Sequence, residues 1–547
     1  DAEGTRGEGP AAESRTLSGS SGDPWLAPPA GAGSRPKSMR RRLAGGAVAF
    51  VVIVSAFALA NRALSPPSQD MARGREVPGV AVLPLAGEPR LSEQITRRLI
   101  ETLQQTGLRT QGWLSVSRFA EGAAEPHLLG EQLGVSYLIE GRALRDAERL
   151  ELSVSLIDAR DGFVLWTETL SGTPQDLRDL EIQVAETTVQ RLVSHHGSDP
   201  EAFPVPRYTQ SVTADSLYRL GMYLQANSYN PVTHRRAAEA FRGAIAADTT
   251  FAPAYVALAS TLFQQSRIFW ESEPREQVPE VLELLLQAER LEHELASTYT
   301  AHGWYHYGYS RDYERAMASH QRAIQLAPNQ ARACTSAAFP LAATGQVDSA
   351  VAMMRRARDL EPLNPLIAST ECWIQFLVDR LDEALETCEF VTDSLDAQFK
   401  VALDIQQLVR HLLMVRRGDT EGLAASRLRL EASPPHLLPD RQLYFEQGLA
   451  WYWAVVGDTA QALATLEKEK NLPGVRPLRI ASGYAAIGHM DSAFTWLDLA
   501  IEARDPYVPE IAVRPTTQPF RDDPRFPAYV ERLGLEDYFP EFNRPGD

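Results

Sequence analysis

Apolar residues along this chain fall into three regimes. Leu43 to Ala60 reads LAGGAVAFVVIVSAFALA, without a single charge. As a helix, a segment of that length spans about 27 Å, enough to reach across the hydrocarbon core of a bilayer. From Val80 to Val193 short β-branched runs alternate with amphipathic stretches. From Asp215 to Ala503 apolar positions recur at helical spacing throughout. The pattern predicts a mixed architecture: one transmembrane helix, a small α/β domain, then an all-α repeat superhelix.

In the middle regime, VAVLPL (Val80 to Leu85) predicts a strand. Leu91 to Gln105 predicts a helix, because Ile95, Leu99 and Leu103 sit one turn apart. A strand near Trp113 to Val116 and a helix around His127 to Leu133 are expected next. Three strand-like runs follow: Val135 to Leu144, Leu150 to Ile157 and Phe163 to Leu170. Asp146-Ala-Glu and Asp161-Gly162 between them carry turn chemistry. A final helix from Pro174 to about Val193 follows Thr173, a plausible cap.

The last regime is internally periodic. Ala316, Ala350 and Ala384 are 34 residues apart, and so are Pro328 and Pro362. That is the period of the tetratricopeptide repeat, in which small residues let two antiparallel helices approach closely. The pattern Ala316, His320, Ala323 corresponds to Ala350, Met354, Ala357 and to Ala384, Cys388, Val391. It recurs at Ala237, Phe241, Ala244, at Ala462, Leu466, Glu469 and at Ala493, Leu497, Ala500. Residues 251–295 and 400–430 keep the periodicity without the signature and are read as divergent repeats, giving seven to nine units.

The chain therefore divides into a tether low in large apolar residues (1–38), a transmembrane helix (39–62), a linker (63–77), the α/β domain (78–196), a second linker (197–213), the repeats (214–510) and a terminal cap (511–547). Arg35, Lys37, Arg40, Arg41 and Arg42 precede the hydrophobic segment, whereas mixed charges follow it. The positive-inside rule then keeps the amino-terminal side in the cytoplasm, leaving a single-pass inner-membrane protein with residues 61–547 periplasmic or otherwise extracytoplasmic. A cleaved signal peptide beginning at Met39 is the alternative, and it places the body in the same compartment. The first residue is Asp1 rather than Met, so an upstream segment is expected to be missing. A net charge of -17 argues against nucleic-acid binding by the folded body.

The run LGEQLGVSYLIEGRALRDAERLELSVSLIDARDGFVLWTETL resembles the TolB-like (FlgO-like) amino-terminal domain of bacterial membrane signalling proteins, over roughly residues 78–195. The first loop departs from that family, with only Gly87-Glu-Pro-Arg90 where a longer acidic stretch is usual. PTTQPFRDDPRFPAYVERLGL, Pro515 to Leu535, resembles the segment that closes many such repeat proteins. The resemblance implies a partner-binding region tied to an output domain: a winged-helix regulator, a nucleotide cyclase or a serine/threonine kinase. A stand-alone envelope assembly factor is the alternative.

Catalytic signatures are absent from the sequence. There is no phosphate-binding glycine loop, no nucleophile elbow, no kinase catalytic loop and no zinc-protease helix. No catalytic, cofactor or metal residue and no small-molecule substrate is expected. His302 and His306 share a helix face, but Trp304, Tyr305 and Tyr307 around them point to packing. His195 and His196 are read as favourable charges at a helix end, and Glu361 and Asp522-Asp523 as solvated surface. Cys372 and Cys388 fall on facing positions of one helical hairpin and form a candidate disulfide, with two small core residues as the alternative. Partners are expected to be proteins or peptides held by the repeats, with the membrane engaged through residues 43–60.

Overall fold

The computed structural model describes residues 79–119, 125–146, 149–173, 176–197, 199–227, 231–269, 274–395, 400–432, 448–471 and 475–543. The expected tether, membrane helix and first linker lie outside them. Among the described residues no helix is long and apolar enough to cross a membrane. The expected fold class is corrected accordingly: the chain is mainly helical, with one small sheet and an array of helical hairpins.

The α/β unit opens with β1 (Val80–Val82), β2 (Ala86–Gly87) and helix α1 (Pro89–Gln105). Helices α2 (Trp113–Val116) and α3 (Pro126–Leu133) follow, then β3 (Tyr137–Asp146), β4 (Arg149–Asp158), β5 (Val164–Gly172) and α4 (Leu177–His195). β1 runs parallel to β3, with Val80 opposite Tyr137, and β3, β4 and β5 form an antiparallel meander in the order β1-β3-β4-β5. Alternation decides what the sheet buries. Leu152, Val154 and Leu156 are fully enclosed with Ile95 and Leu99 of α1 and Val184 and Leu192 of α4. Ser153 and Ser155, on the opposite face, bond Thr169 and Thr167 at 3.2 and 2.8 Å.

Two local expectations are overturned by competition for backbone partners. Trp113–Val116 is a helical turn rather than a strand, because residues 109–111 have already taken the free edge of β1. Val80 N–H donates to Arg109 O at 2.8 Å, and Gln111 N–H donates to Val80 O at 3.0 Å. Thr173 does not cap α4; instead the Asp176 carboxylate accepts from the Thr173 N–H and hydroxyl at 2.8 and 2.9 Å, since the ionised group is the stronger acceptor.

Among the described residues eight helical hairpins then follow. They are α5/α6 (Val212–Asn227, Pro231–Ala247), α7/α8 (Ala252–Gln264, Pro274–Leu291), α9/α10 (Ala296–Tyr305, Tyr313–Leu326) and α11/α12 (Ala331–Ala343, Val347–Leu360). The others are α13/α14 (Pro365–Leu377, Leu381–Phe390), α15/α16 (Lys400–Arg417, Thr420–Ala432), α17/α18 (Gly448–Val455, Thr459–Glu469) and α19/α20 (Pro477–Ala486, Met490–Glu502). The marker residues Ala237, Ala316, Ala350, Ala384, Ala462 and Ala493 are all 0% exposed, at the points where paired helices cross. The two stretches without the signature are themselves hairpins, α7/α8 and α15/α16. Glu469 occupies a small-residue site because Arg479, two helix ends along, reaches its carboxylate at 2.8 Å.

From the second hairpin on, first helices lie side by side, and the last hairpin comes to lie against the second and third. Arg476, just before α19, donates to the carbonyl of Arg267 just after α7. Arg311 donates to Ile501 O at the end of α20, at 2.9 Å. Two short cap helices, α21 (Gln518–Arg521) and α22 (Phe526–Arg532), close the core with Phe520, Phe526 and Val530, all 0% exposed.

Candidate functional site

Two surfaces bring distant residues together. The first joins the α/β unit to the array. The last carbonyls of a helix have no partner within it and carry partial negative charge, so they attract donors. The segment from Gly107 to Arg118 supplies donors at the ends of two hairpins and an acceptor beyond a third. Gly107 O accepts from Asn329, beyond α10, at 3.0 Å. Arg109 and Gln111 donate to Asp359 O and Leu360 O at the end of α12, at 2.5 and 2.7 Å. Arg118 donates to the carbonyls of Ser394 and Leu395 beyond α14. Glu361 belongs to this joint and is not the solvated surface residue expected. Its carboxylate accepts from Asn364 at 2.8 Å and from the Gly112 N–H, while burial pushes its pKa up. A Cβ on Gly112 would lie 2.6 Å from Glu361 Oε2, so a larger residue there would make that carboxylate shift.

A second contact of the same unit is ionic. Glu181 of α4, with its side chain 0% exposed, lies 3.4 Å from Arg98 and 3.5 Å from Arg219 of α5, and Arg219 also pairs with Asp215 at 2.7 Å. Burial outweighs both arginines and raises Glu181 to about 6.

The second surface is the inner face of the array, and it is filled. Residues 505–514 lie against the ends of the first helices. Tyr507 is stacked between the Arg267 and Arg476 guanidinium groups, at 4.9 and 4.5 Å. Arg267 also covers Trp304 and Phe339, at 4.6 and 5.1 Å, and Arg514 covers Trp373 at 4.8 Å. Glu510 accepts from the Tyr307 hydroxyl at 3.4 Å and lies 3.7 Å from Arg514. Asp505 is wholly buried and accepts from the Tyr507 N–H at 3.1 Å. Burial raises its pKa, against the pull of Arg476 and Arg514. Burial and the Glu510 charge likewise hold the Tyr307 hydroxyl protonated well beyond neutral pH.

The residues singled out from sequence are placed as follows. Cys372 and Cys388 face each other across α13/α14 with Cα atoms 5.6 Å apart, joined through sulfur, while Cys334 is a buried free thiol. The His302 and His306 rings are stacked 6.1 Å apart and Glu289 lies 3.4 Å from His302. Among the described residues no group of three His, Cys, Asp or Glu could hold a metal ion. The His196 Nε2 is 2.8 Å from the Tyr137 hydroxyl, and desolvation lowers its pKa. Asp523 pairs with Arg525 at 2.8 Å, whereas Asp522 stays exposed.

The residues of the inner face were missed by sequence reading. Arg267 and Tyr507 are 240 positions apart with no local pattern linking them; only the cap resemblance pointed to this end of the chain.

The helical hairpins with their 34-residue interval are repeats of tetratricopeptide type. No family model matches the chain. A protein of Rhizobium meliloti (strain 1021), named as a candidate adenylate cyclase, is 29% identical over 143 residues, which is 24% of this chain and 23% of that protein. The chain thus matches about a quarter of that relative's length. Among solved structures, a thermophilic TPR protein of Thermus thermophilus is 20% identical with a TM-score of 0.30, covering 36% of this chain and 97% of that one. Pseudomonas aeruginosa pilF is 19% identical with a TM-score of 0.29, covering 42% of this chain and 95% of that one.

Proposed function

We propose that this chain is a non-catalytic interaction and sensing region whose helical-repeat array binds protein partners and passes the event to an output carried by another domain. The observation that carries it is the joint between the two units: three consecutive hairpins are tied to residues 107–118 of the α/β domain, a contiguous contact through which a change in the array would reach that domain. Residues 78–196 are read as a TolB-like domain on their motifs. The partial similarity to a cyclase-named protein favours a signalling output over an assembly role. Extracytoplasmic placement of the body is part of the reading, and the paired Cys372 and Cys388 favour it, since such pairs persist in oxidising compartments.

Photo-crosslinking from the exposed positions Val415, Leu428 and Leu499, which are 47, 65 and 43% exposed, tests it in cells. A reproducible protein partner, captured from adjacent positions and lost when the array is unfolded, is the expected result. Cyclisation, phosphoryl transfer or hydrolysis by the purified chain itself would overturn the reading.

A further inference from the structure

The inner face of the array is occupied by a segment that carries its own recognition chemistry. Asp505-Pro-Tyr-Val-Pro-Glu510 contains two prolines and runs as consecutive tight turns, with the Val508 N–H donating to Asp505 O and the Glu510 N–H to Tyr507 O, both at 3.1 Å. Side chains anchor these turns to the array: Tyr507 against two guanidinium groups, Val508 and Ile511 at 0% exposure in the apolar core, and a carboxylate at each end. Burying two carboxylates is costly unless donors are already placed for them. The array supplies part of this, Tyr307 after α9 for Glu510 and Arg476 before α19 beside Asp505, and the segment supplies the rest through the Tyr507 N–H and Arg514. In a chain of net charge -17 the wall facing this segment is nonetheless cationic and aromatic, with Arg267, Arg476, Trp304 and Phe339. On both sides the segment continues into separately packed elements, α20 before it and the cap helices α21 and α22 after it. It is a strap tied at two ends.

We infer that residues 505–510 are the built-in occupant of a peptide-binding groove, and that the groove's external partner is a turn-forming segment with the same chemistry, acidic residues flanking a tyrosine and spaced by prolines. This rests on the scaffold reading and names the partner class. The strap competes as a tethered ligand at an effective concentration on the order of millimolar, so an external peptide meets a closed site unless the strap is weakened. Partner binding and release of the strap are then one event.

A fluorescein-labelled peptide of residues 503–514 is titrated into the full chain and followed by anisotropy, with a scrambled peptide as control. The wild-type chain is expected to bind it with an apparent Kd on the order of millimolar. The Tyr507→Ala/Glu510→Ala chain should bind at least about tenfold tighter, and adding Arg267→Ala should abolish that gain. A Tyr507→Ala/Glu510→Ala chain that keeps its helical circular dichroism and binds no better than wild type overturns the inference. If that variant does not fold, hydrogen exchange on the wild-type chain decides. Amides of 503–514 that open well before those of α11 and α13 support a displaceable strap; equal protection makes the segment a permanent part of the core and refutes it. Array-crosslinked partners that persist in the Arg267→Ala chain would leave the scaffold reading standing while this one falls.

Discussion

His320 gives a quantitative test of how the array is packed. It takes the large core position of α10, is 0% exposed, and neither ring nitrogen has a hydrogen-bond partner. Gly303 on α9 leaves the space for it: a Cβ there would lie 2.3 Å from the imidazole. Burial drives the His320 pKa from 6.5 down to about 3, with a smaller contribution from His306. The unfolded chain therefore binds a proton between about pH 6.5 and 3 that the folded chain refuses, and stability falls as the pH drops through that window. At pH 5 the linkage costs the folded hairpin about 2 kcal/mol, and at pH 7.5 about 0.1 kcal/mol. His320→Leu removes the titrating group and an unsatisfied polar ring, so it should stabilise the hairpin by about 1–3 kcal/mol at neutral pH. The margin over wild type should widen by about 2 kcal/mol at pH 5. Because a long array opens locally, the readout is the opening free energy of amides in residues 296–326 by hydrogen exchange, corrected for intrinsic rates at each pH. A margin that is the same at pH 7.5 and pH 5 would refute a neutral, unpartnered His320.

Further outcomes follow from the same contacts. Gly303→Ala should destabilise α9/α10 strongly, and adding His320→Ala should recover part of the loss, a coupling read in a double-mutant cycle by thermal melting; additive losses would contradict the close approach. Arg109→Ala with Glu361→Ala should free the α/β unit from the array, exposing the stretch 197–211 to limited proteolysis while the array's helical signal stays intact. Unchanged cleavage would show that the remaining contacts, Gln111, Arg118, Asn329 and the Glu181–Arg219 pair, suffice to hold it. Mass mapping with and without reductant should show Cys372 linked to Cys388 and Cys334 free, and Cys388→Ser should lower stability by roughly 3 kcal/mol from the lost loop closure. Three free thiols in exported protein would remove the disulfide from the account.

Much of the secondary structure was legible along the chain because it is set by neighbours in sequence. Helical spacing and the alanines at 34-residue intervals mark where helices pair, since only small side chains permit the crossing. Alternation in β3 to β5 marks the buried face of the sheet for the same local reason. The failures came where partners from elsewhere compete. Residues 109–111 claim the edge of β1 and turn 113–116 into a helix. Glu361 looks like a surface acid until Gly112 and the α/β loop close over it. Arg267, Tyr507 and Arg476 carry no local signature at all, because a stack between the second and eighth hairpins exists only once the accumulated rotation of each repeat has brought the last hairpin back against the second. Sequence determined the repeating unit and its helix pairing; tertiary structure alone decided that the array closes on itself and fills its own groove.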